Sequence, residues 1–342
     1  MRTAVVLFNL GGPDGPEAVE PFLCNLFSDP AIIRLPGPLR WILARVISRR
    51  RAPVAREIYA KIGGRSPILP LTEAQARALE GFLGQDYRCF VAMRYWHPRA
   101  AEVAAAVRHY QPDRVVLLPL YPQYSTTTSA SSLREWQEAF GRDVPTATVC
   151  CWPRLPGLAA AYAELALPLL AEAAQGGRRP RLLLSAHGLP KRVVTGGDPY
   201  CRQVEMTAAA VVAAVEARSG PVDWVVCYQS RVGPLEWVGP STGEELRRAA
   251  RDGVPVVVLP VAFVSDHSET LVEIEIEYRH LAESLGVPGF FRVPAVGDHP
   301  ALVAGLAEVV RAAAGRGGVA SAELSRVCPG ECGGCAMAGA AV

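Results

Sequence analysis

No run in the 342-residue chain approaches the ~18 uninterrupted apolar residues of a membrane-crossing helix, so no span is expected. The opening MRTAVVLFNLGGP has too short an apolar stretch for a secretory leader and passes at once into glycine; it reads as a first strand. Charge of one sign is not in excess. The formal net charge of +2 makes no case for a nucleic-acid partner. No repeat is strong enough to prove an internal duplication. What remains is a globular chain, half hydrophobic and a fifth charged, expected in the cytoplasm and long enough for two domains.

Seven short apolar runs recur: TAVVLFN, CFVAM, RVVLLPL, TATVCC, RLLLSAH, VDWVVCYQ and VPVVVLP. Continuous Val/Leu runs of this length fit strands buried on both faces, as in parallel sheets. Alanine-rich stretches between them, such as AEVAAAVRHY, fit crossover helices. One set of strands precedes residue 153 and a second follows residue 180. The expected fold is α/β, two doubly wound Rossmann-like halves: 1–153, including a basic stretch at 34–53, and 154–320, followed by a cysteine-rich tail at 321–342. Ligands of such sheets bind beyond the carboxyl ends of strands. Polar clusters gather there (NLGGP, RYWHP, YPQYSTTTS, SAHGLP, YQSRVGP, SDHSET), which suggests one large site between the halves. Aromatic residues near those ends suggest a flat, apolar ligand.

The densest cluster is SDHSETLVEIEIEY, residues 265–278. Its strict alternation allows a half-exposed strand. A helix is favoured, because a strand precedes it and Asp266 with Glu269 resembles a capping box. In an α-helix Glu269, Glu273 and Glu277 share one face at i, i+4 and i+8. Like charges so spaced repel by a few tenths of a kcal/mol per pair, and a metal or a flow of protons would offset that. Two further features stand apart. RLPGPLRWILARVISRRRAP, 34–53, reads either as an amphipathic basic helix on a membrane surface or as an ordinary solvated helix. Six cysteines are scattered, but Cys328, Cys332 and Cys335 crowd a C-x3-C-x2-C tail. Clustered thiols in a reducing compartment suggest a metal, zinc or iron–sulfur, unless the tail is disordered and its cysteines incidental.

NLGGP, Y-x-x-I-G-G-x-S-P-I at 59–68, MRYWHP, PLYPQYS, SAHGLP, QSRVGP-x-x-W and SDHSETL-x-E together resemble the ferrochelatase family, in matching order from residue 3 to about residue 315. The resemblance implies two halves around a central porphyrin cleft. It implies an enzyme, a lyase that inserts Fe²⁺ into protoporphyrin IX to form protohaem, the last step of haem biosynthesis. Alternatives are a chelatase for coproporphyrin or another tetrapyrrole, a metal-delivery protein on the same scaffold, and an iron–sulfur electron carrier.

Metallation removes two pyrrole protons and delivers a dication to the same nitrogens. His187, at the end of RLLLSAHG, can accept a proton or ligate Fe²⁺. The resemblance makes His187 and Glu269 the metal-binding and proton-accepting pair across the macrocycle. Glu273 and Glu277 continue as a path for protons or metal, Asp266 and His267 orient Glu269, and Glu275 has no assigned role. By the same resemblance Arg51, Tyr59 and Ser66 meet the porphyrin. Arg94, Tyr95 and Ser125 could add to them, and Trp237 would face the macrocycle. The basic stretch becomes a cleft lip at the inner face of the membrane, where a protoporphyrinogen oxidase would supply substrate. Some ferrochelatases hold a [2Fe–2S] cluster by three C-terminal cysteines and one in the PQYS segment. Here PQYSTTTS has no cysteine. Cys151, or alternatively Cys150, at the next strand end is the nearest replacement, and a structural Zn²⁺ is the alternative occupant.

Overall fold

The computed structural model describes residues 1–230 and 235–338. Residues 231–234, part of the QSRVGP motif, and 339–342 of the tail lie outside the described set. The strands are β1 (Thr3–Asn9), β2 (Tyr87–Met93), β3 (Arg114–Pro119), β4 (Thr146–Val149), β5 (Arg181–His187), β6 (Asp223–Gln229), β7 (Val256–Pro260), β8 (Phe290–Arg292) and β9 (Gly318–Ala320). Among the described residues they form two parallel sheets, ordered β2-β1-β3-β4-β9 and β6-β5-β7-β8. The seven strands expected from the apolar runs are all present. β8 and β9, three residues each, are additional.

The continuous apolar runs are central strands for the reason they were recognisable. Every residue of β1 and β7 is buried, because helices cover both faces and no polar alternation is needed. In the first sheet, helices Ala100–Tyr110 and Ser129–Phe140 close one core around Phe8, Val107 and Trp136. In the second, Thr242–Asp252 packs Leu246 and Ala249 against Val256 and Val258. That helix is started by a capping box between Ser241 and Glu244.

Both sheets begin in the middle. β1 lies between β2 and β3, and β5 lies between β6 and β7. The chain therefore reverses its direction of winding at β1/β3 and again at β5/β7. Each reversal opens a crevice beyond the carboxyl ends, where open α/β sheets bind ligands. The repeated order shows in topology a correspondence that the sequence did not.

Among the described residues the chain clusters into two compact units, Met1–Cys151 with Ala307–Val327 and residues 336–338, and Trp152–Leu306 with Cys328–Cys335. This corrects the division into consecutive halves and a tail. β9 returns to pair with β4 in the first sheet, Thr148 beside Val319, so the last helix feeds that unit. The tail is split between the units.

Candidate active site

In the second unit three strand ends meet. His187 ends β5 and sits opposite Gln229, the last residue of β6. Beyond β7 comes the segment Ser265–Glu269, then the helix Glu269–Tyr278. Gly188 follows the histidine with its backbone against β6, its N–H donating to Gln229 O at 2.8 Å. A Cβ at residue 188 would stand 2.9 Å from that oxygen and 3.2 Å from the Trp237 ring. Only glycine lets the chain leave β5 so closely, and this fixes the direction of the imidazole before it.

Helix Glu269–Tyr278 is a π-helix, which corrects the α-helical expectation. Its i→i+5 bonding widens the turn, a rare form found often at functional sites. Glu269 and Glu273 still lie near one face, and the carboxylates run from half-buried Glu269 and Glu273 to exposed Glu277. The capping box is absent. Asp266 instead accepts from Arg292 Nη1 at 2.9 Å, so it does not orient Glu269. The turn is closed by Thr270, whose Oγ1 accepts from His267 N at 2.9 Å. Glu275 pairs with Arg279 and Arg292 and is structural.

His187 Nδ1 lies 2.9 Å from Glu269 Oε2, with side chains 37% and 28% exposed. His267 Nε2 stands 3.8 Å from the same oxygen, and its Nδ1 donates to Ser265 O at 3.2 Å. A macrocycle cannot stand between groups 2.9 Å apart, so the expected pair across the porphyrin is corrected to a pair on one side. Adjacent strand ends put them there. Burial pulls the His187 pKa down, but Glu269 and Glu273 outweigh it and the imidazole ends above its ordinary value. Burial pushes Glu269 up, but His187 and His267 hold it well below the usual carboxylate range. Glu273 is raised, by burial first and then by the charge of Glu269.

Sequence reasoning missed the residues around Glu273. Ser230 N donates to Glu273 Oε1 at 2.8 Å, and Ser230 Oγ donates to Oε2. Gln229 Nε2 donates to Oε2 at 3.3 Å and Tyr278 OH to Oε1 at 3.1 Å. Tyr278 stands five residues after Glu273. That spacing faces away on an α-helix and together on a π-helix, so the wrong period concealed it.

In the first unit the expected porphyrin contacts separate. Arg51 is exposed on helix Gly37–Ala60, where Tyr59 is buried. Ser66 is buried and accepts from Ile68 N at 3.3 Å at the start of the next helix. A Cβ at Gly12 would stand 2.5 Å from its side chain, so the NLGG turn and Ser66 require each other. Arg94 and Tyr95 do not stand free for a ligand. Both donate to buried Asp29, at 2.9 and 2.8 Å, together with Ser131. Ser125 is buried against Thr127, 2.8 Å away. These three are corrected from ligand contacts to internal structure. Helix Gly37–Ala60 exposes Leu39, Trp41, Ile42, Leu43 and Val46 beside its arginines. Among the described residues no helix is long and apolar enough to cross a membrane.

Cys328, Cys332 and Cys335 are buried. Cys335 hydrogen-bonds Cys328, and Gln203 Nε2 lies 2.9 Å from Cys328 Sγ. The donor set suits a thiophilic metal or an iron–sulfur cluster. Among the described residues no group of three or more His, Cys, Asp or Glu stands in ligating geometry. Cys150 and Cys151 pack with Tyr124 against Val327, Ala336 and Met337, the residues flanking the three thiols.

Two parallel sheets with a histidine–carboxylate pair at a switch point make this an α/β protein with a candidate site at the strand ends. Among solved structures the chain is similar to SirB from Bacillus subtilis with Fe³⁺, TM-score 0.53 at 13% identity, covering 92% of this chain and 96% of that one. That likeness concerns the fold alone. A family model for ferrochelatase matches residues 2–314. Ferrochelatase of Caulobacter vibrioides (strain NA1000 / CB15N) is 50% identical over 337 residues, 97% of this chain and 95% of the relative. That of Phenylobacterium zucineum (strain HLK1) is 52% identical over 325 residues, 94% of each chain. The chain belongs to the ferrochelatase family, enzymes that insert Fe²⁺ into porphyrin.

Proposed function

We propose that this chain inserts ferrous iron into protoporphyrin IX in haem biosynthesis, releasing two pyrrole protons, with the His187–Glu269 pair as the reacting groups. The observation that carries the reading is the 2.9 Å contact between His187 Nδ1 and Glu269 Oε2 at the β5/β7 switch point. A neutral imidazole that donates from Nδ1 to a carboxylate presents its Nε2 lone pair outward. The carboxylate strengthens it as a base. His187 Nε2 takes a pyrrole proton. The proton leaves by way of Glu269 and Glu273 to exposed Glu277. Imidazole and carboxylate are also donors that ferrous ion accepts without being trapped, as thiolates would trap it.

Of the porphyrin contacts that the resemblance implies, Arg51 is exposed and suited to a carboxylate, whereas Tyr59 and Ser66 are buried; Trp237 offers an aromatic face. The exposed apolar row from Leu39 to Val46 among arginines supports a peripheral contact with the inner membrane face, where an oxidase delivers a poorly soluble substrate. Cys328, Cys332 and Cys335, with Cys151 or alternatively Cys150, would hold a [2Fe–2S] cluster, with a structural Zn²⁺ as the alternative occupant. Cys150 and Cys151 both pack against Val327, Ala336 and Met337, which flank the tail thiols, and this supports either one as the fourth ligand. Such a cluster supplies electron storage or structural cross-linking when bound. Iron insertion itself requires neither.

The test is anaerobic incubation of purified protein with Fe²⁺ and either protoporphyrin IX or coproporphyrin, followed by absorbance. Haem formation with protoporphyrin at the higher kcat/KM is expected. A preference for coproporphyrin would replace the substrate. No product with either porphyrin, despite metal binding, would favour a delivery protein.

A further inference from the structure

Glu273 has been left with two roles on the same face, proton carrier and metal station. Its hydrogen bonds separate them. A carboxylate offers about four lone-pair sites. Four donors from three residues occupy those of Glu273: Ser230 N and Tyr278 OH on Oε1, Ser230 Oγ and Gln229 Nε2 on Oε2. The donors are themselves anchored. The Gln229 side chain is fully buried, and its Oε1 accepts from Ser185 Oγ at 2.8 Å. Ser185 Oγ in turn lies 2.9 Å from Thr242 Oγ1. This fixes which end of the Gln229 amide faces Glu273. Ser230 is at φ 62°, in the left-handed region that a non-glycine residue rarely occupies. That conformation turns its N–H and its hydroxyl onto the two oxygens of one carboxylate. Strain of this kind persists where surrounding structure enforces it and concentrates at functional sites.

We propose that Ser230 and Tyr278 are positioning residues that fill the acceptor sites of Glu273 and close it to inner-sphere ferrous ion. The inference rests on the reading of the His187–Glu269 site as the place of iron insertion. A metal ion can reach an oxygen of Glu273 only by displacing one of these donors, and the backbone N–H and the anchored amide cannot turn away. A proton meets no such barrier. When it arrives at an oxygen, the hydroxyl that had donated there rotates and accepts the new O–H, so no bond in the cluster is lost. Tyr278 is suited to this because burial and the Glu273 charge keep its phenol protonated. The same glutamate ladder therefore divides its work. Glu269 faces His187 and His267 through the single oxygen Oε2 and is the carboxylate read as open to metal, while Glu273 is held for proton traffic. The metal approaches the pair without passing through Glu273.

The test uses the purified full chain and four variants: Glu269→Gln, Glu273→Gln, Tyr278→Phe and Ser230→Gly. The glycine keeps the backbone N–H at a φ it tolerates and removes the hydroxymethyl side chain with its Oγ donor. Co²⁺ alone is titrated by its visible absorbance. Glu269→Gln is expected to weaken binding tenfold or more, and the other three to leave it within twofold. Kinetics are then read with Fe²⁺ and protoporphyrin. Tyr278→Phe and Ser230→Gly are expected to lower kcat by less than the ~100-fold of losing an acid–base group. The Fe²⁺ KM stays unchanged and the solvent isotope effect rises. Weaker Co²⁺ binding in Glu273→Gln, or a raised Fe²⁺ KM at unchanged kcat in the clamp variants, would overturn the proposal. If Glu269→Gln leaves Co²⁺ binding intact, the underlying site reading fails instead. The Glu273→Gln titration still decides the closure of that carboxylate.

Discussion

Replacement of His187 by alanine separates catalysis from everything else the side chain does. A positioned acid–base group contributes ~10²–10⁴-fold in rate. At about 1.36 kcal/mol per decade that is roughly 3–5 kcal/mol of barrier. The contribution of His187 to stability is far smaller. Its ion pair with Glu269 is more than a third exposed on the histidine side. Pairs of that exposure are worth about 0–1 kcal/mol. His187→Ala should therefore fold normally, bind protoporphyrin as before, and lose at least ~100-fold in kcat. The assay is anaerobic haem formation by absorbance, beside fluorescence quenching of bound porphyrin and a denaturant titration. Free imidazole should restore part of the rate, because the variant leaves room beside Glu269 where the ring stood. Two outcomes refute the reasoning. One is turnover near that of the natural protein. The other is loss of porphyrin binding in step with kcat, which would make His187 a binding residue.

How much of this was legible in the sequence depended on range. Seven strands were readable because each is an unbroken apolar run buried on both faces. β8 and β9 were not, since three residues carry no pattern and β9 is a strand only by pairing with β4, over 160 positions earlier. The strand-end position of His187 and the ladder beginning at Glu269 were legible, and the structure brings the two side chains together. The error about opposite faces arose because a motif gives order along the chain and not direction in space. The error at Asp266 has the same origin. Local spacing matched a capping box, but Arg292, 26 residues away, supplies the partner. The π-helix is the clearest limit. VEIEIEY fits two periods equally, and a third, which brings Tyr278 to Glu273, is set by packing.

The pH profile should show an acid limb above the ordinary histidine range, near 6.5. Burial lowers the His187 pKa, but Glu269 and Glu273 raise it further, and only the neutral ring accepts a proton. Rate should fall as pH drops through that raised value. Glu273→Gln, which removes one of the raising charges, should move the limb to lower pH; an unmoved limb would detach Glu273 from His187. The purified protein should be reddish-brown with about two irons per chain. Cys328→Ser, Cys332→Ser, Cys335→Ser and Cys151→Ser should each bleach it and Cys24→Ser should not, whereas a colourless protein holding one zinc would replace the cluster. Asp29 provides the test of the corrected porphyrin contacts. It is buried and accepts from Arg94, Tyr95, Ser131 and the Ala31 N–H. Burial raises its pKa, but Ser131, the Ala31 N–H, Arg94 and Tyr95 together bring it below the usual carboxylate value. Because the folded pKa is depressed, the stability it supplies is present above the unfolded value. That stability is lost as pH falls through the folded one. Asp29→Ala leaves Arg94, 13% exposed, without its nearest counter-charge. Breaking a buried pair in this way costs about 3–5 kcal/mol. Arg94→Met should likewise destabilise the fold in urea, while the KM for porphyrin in the remaining folded protein stays the same. A raised KM at unchanged stability would return Arg94 to the ligand and undo the correction.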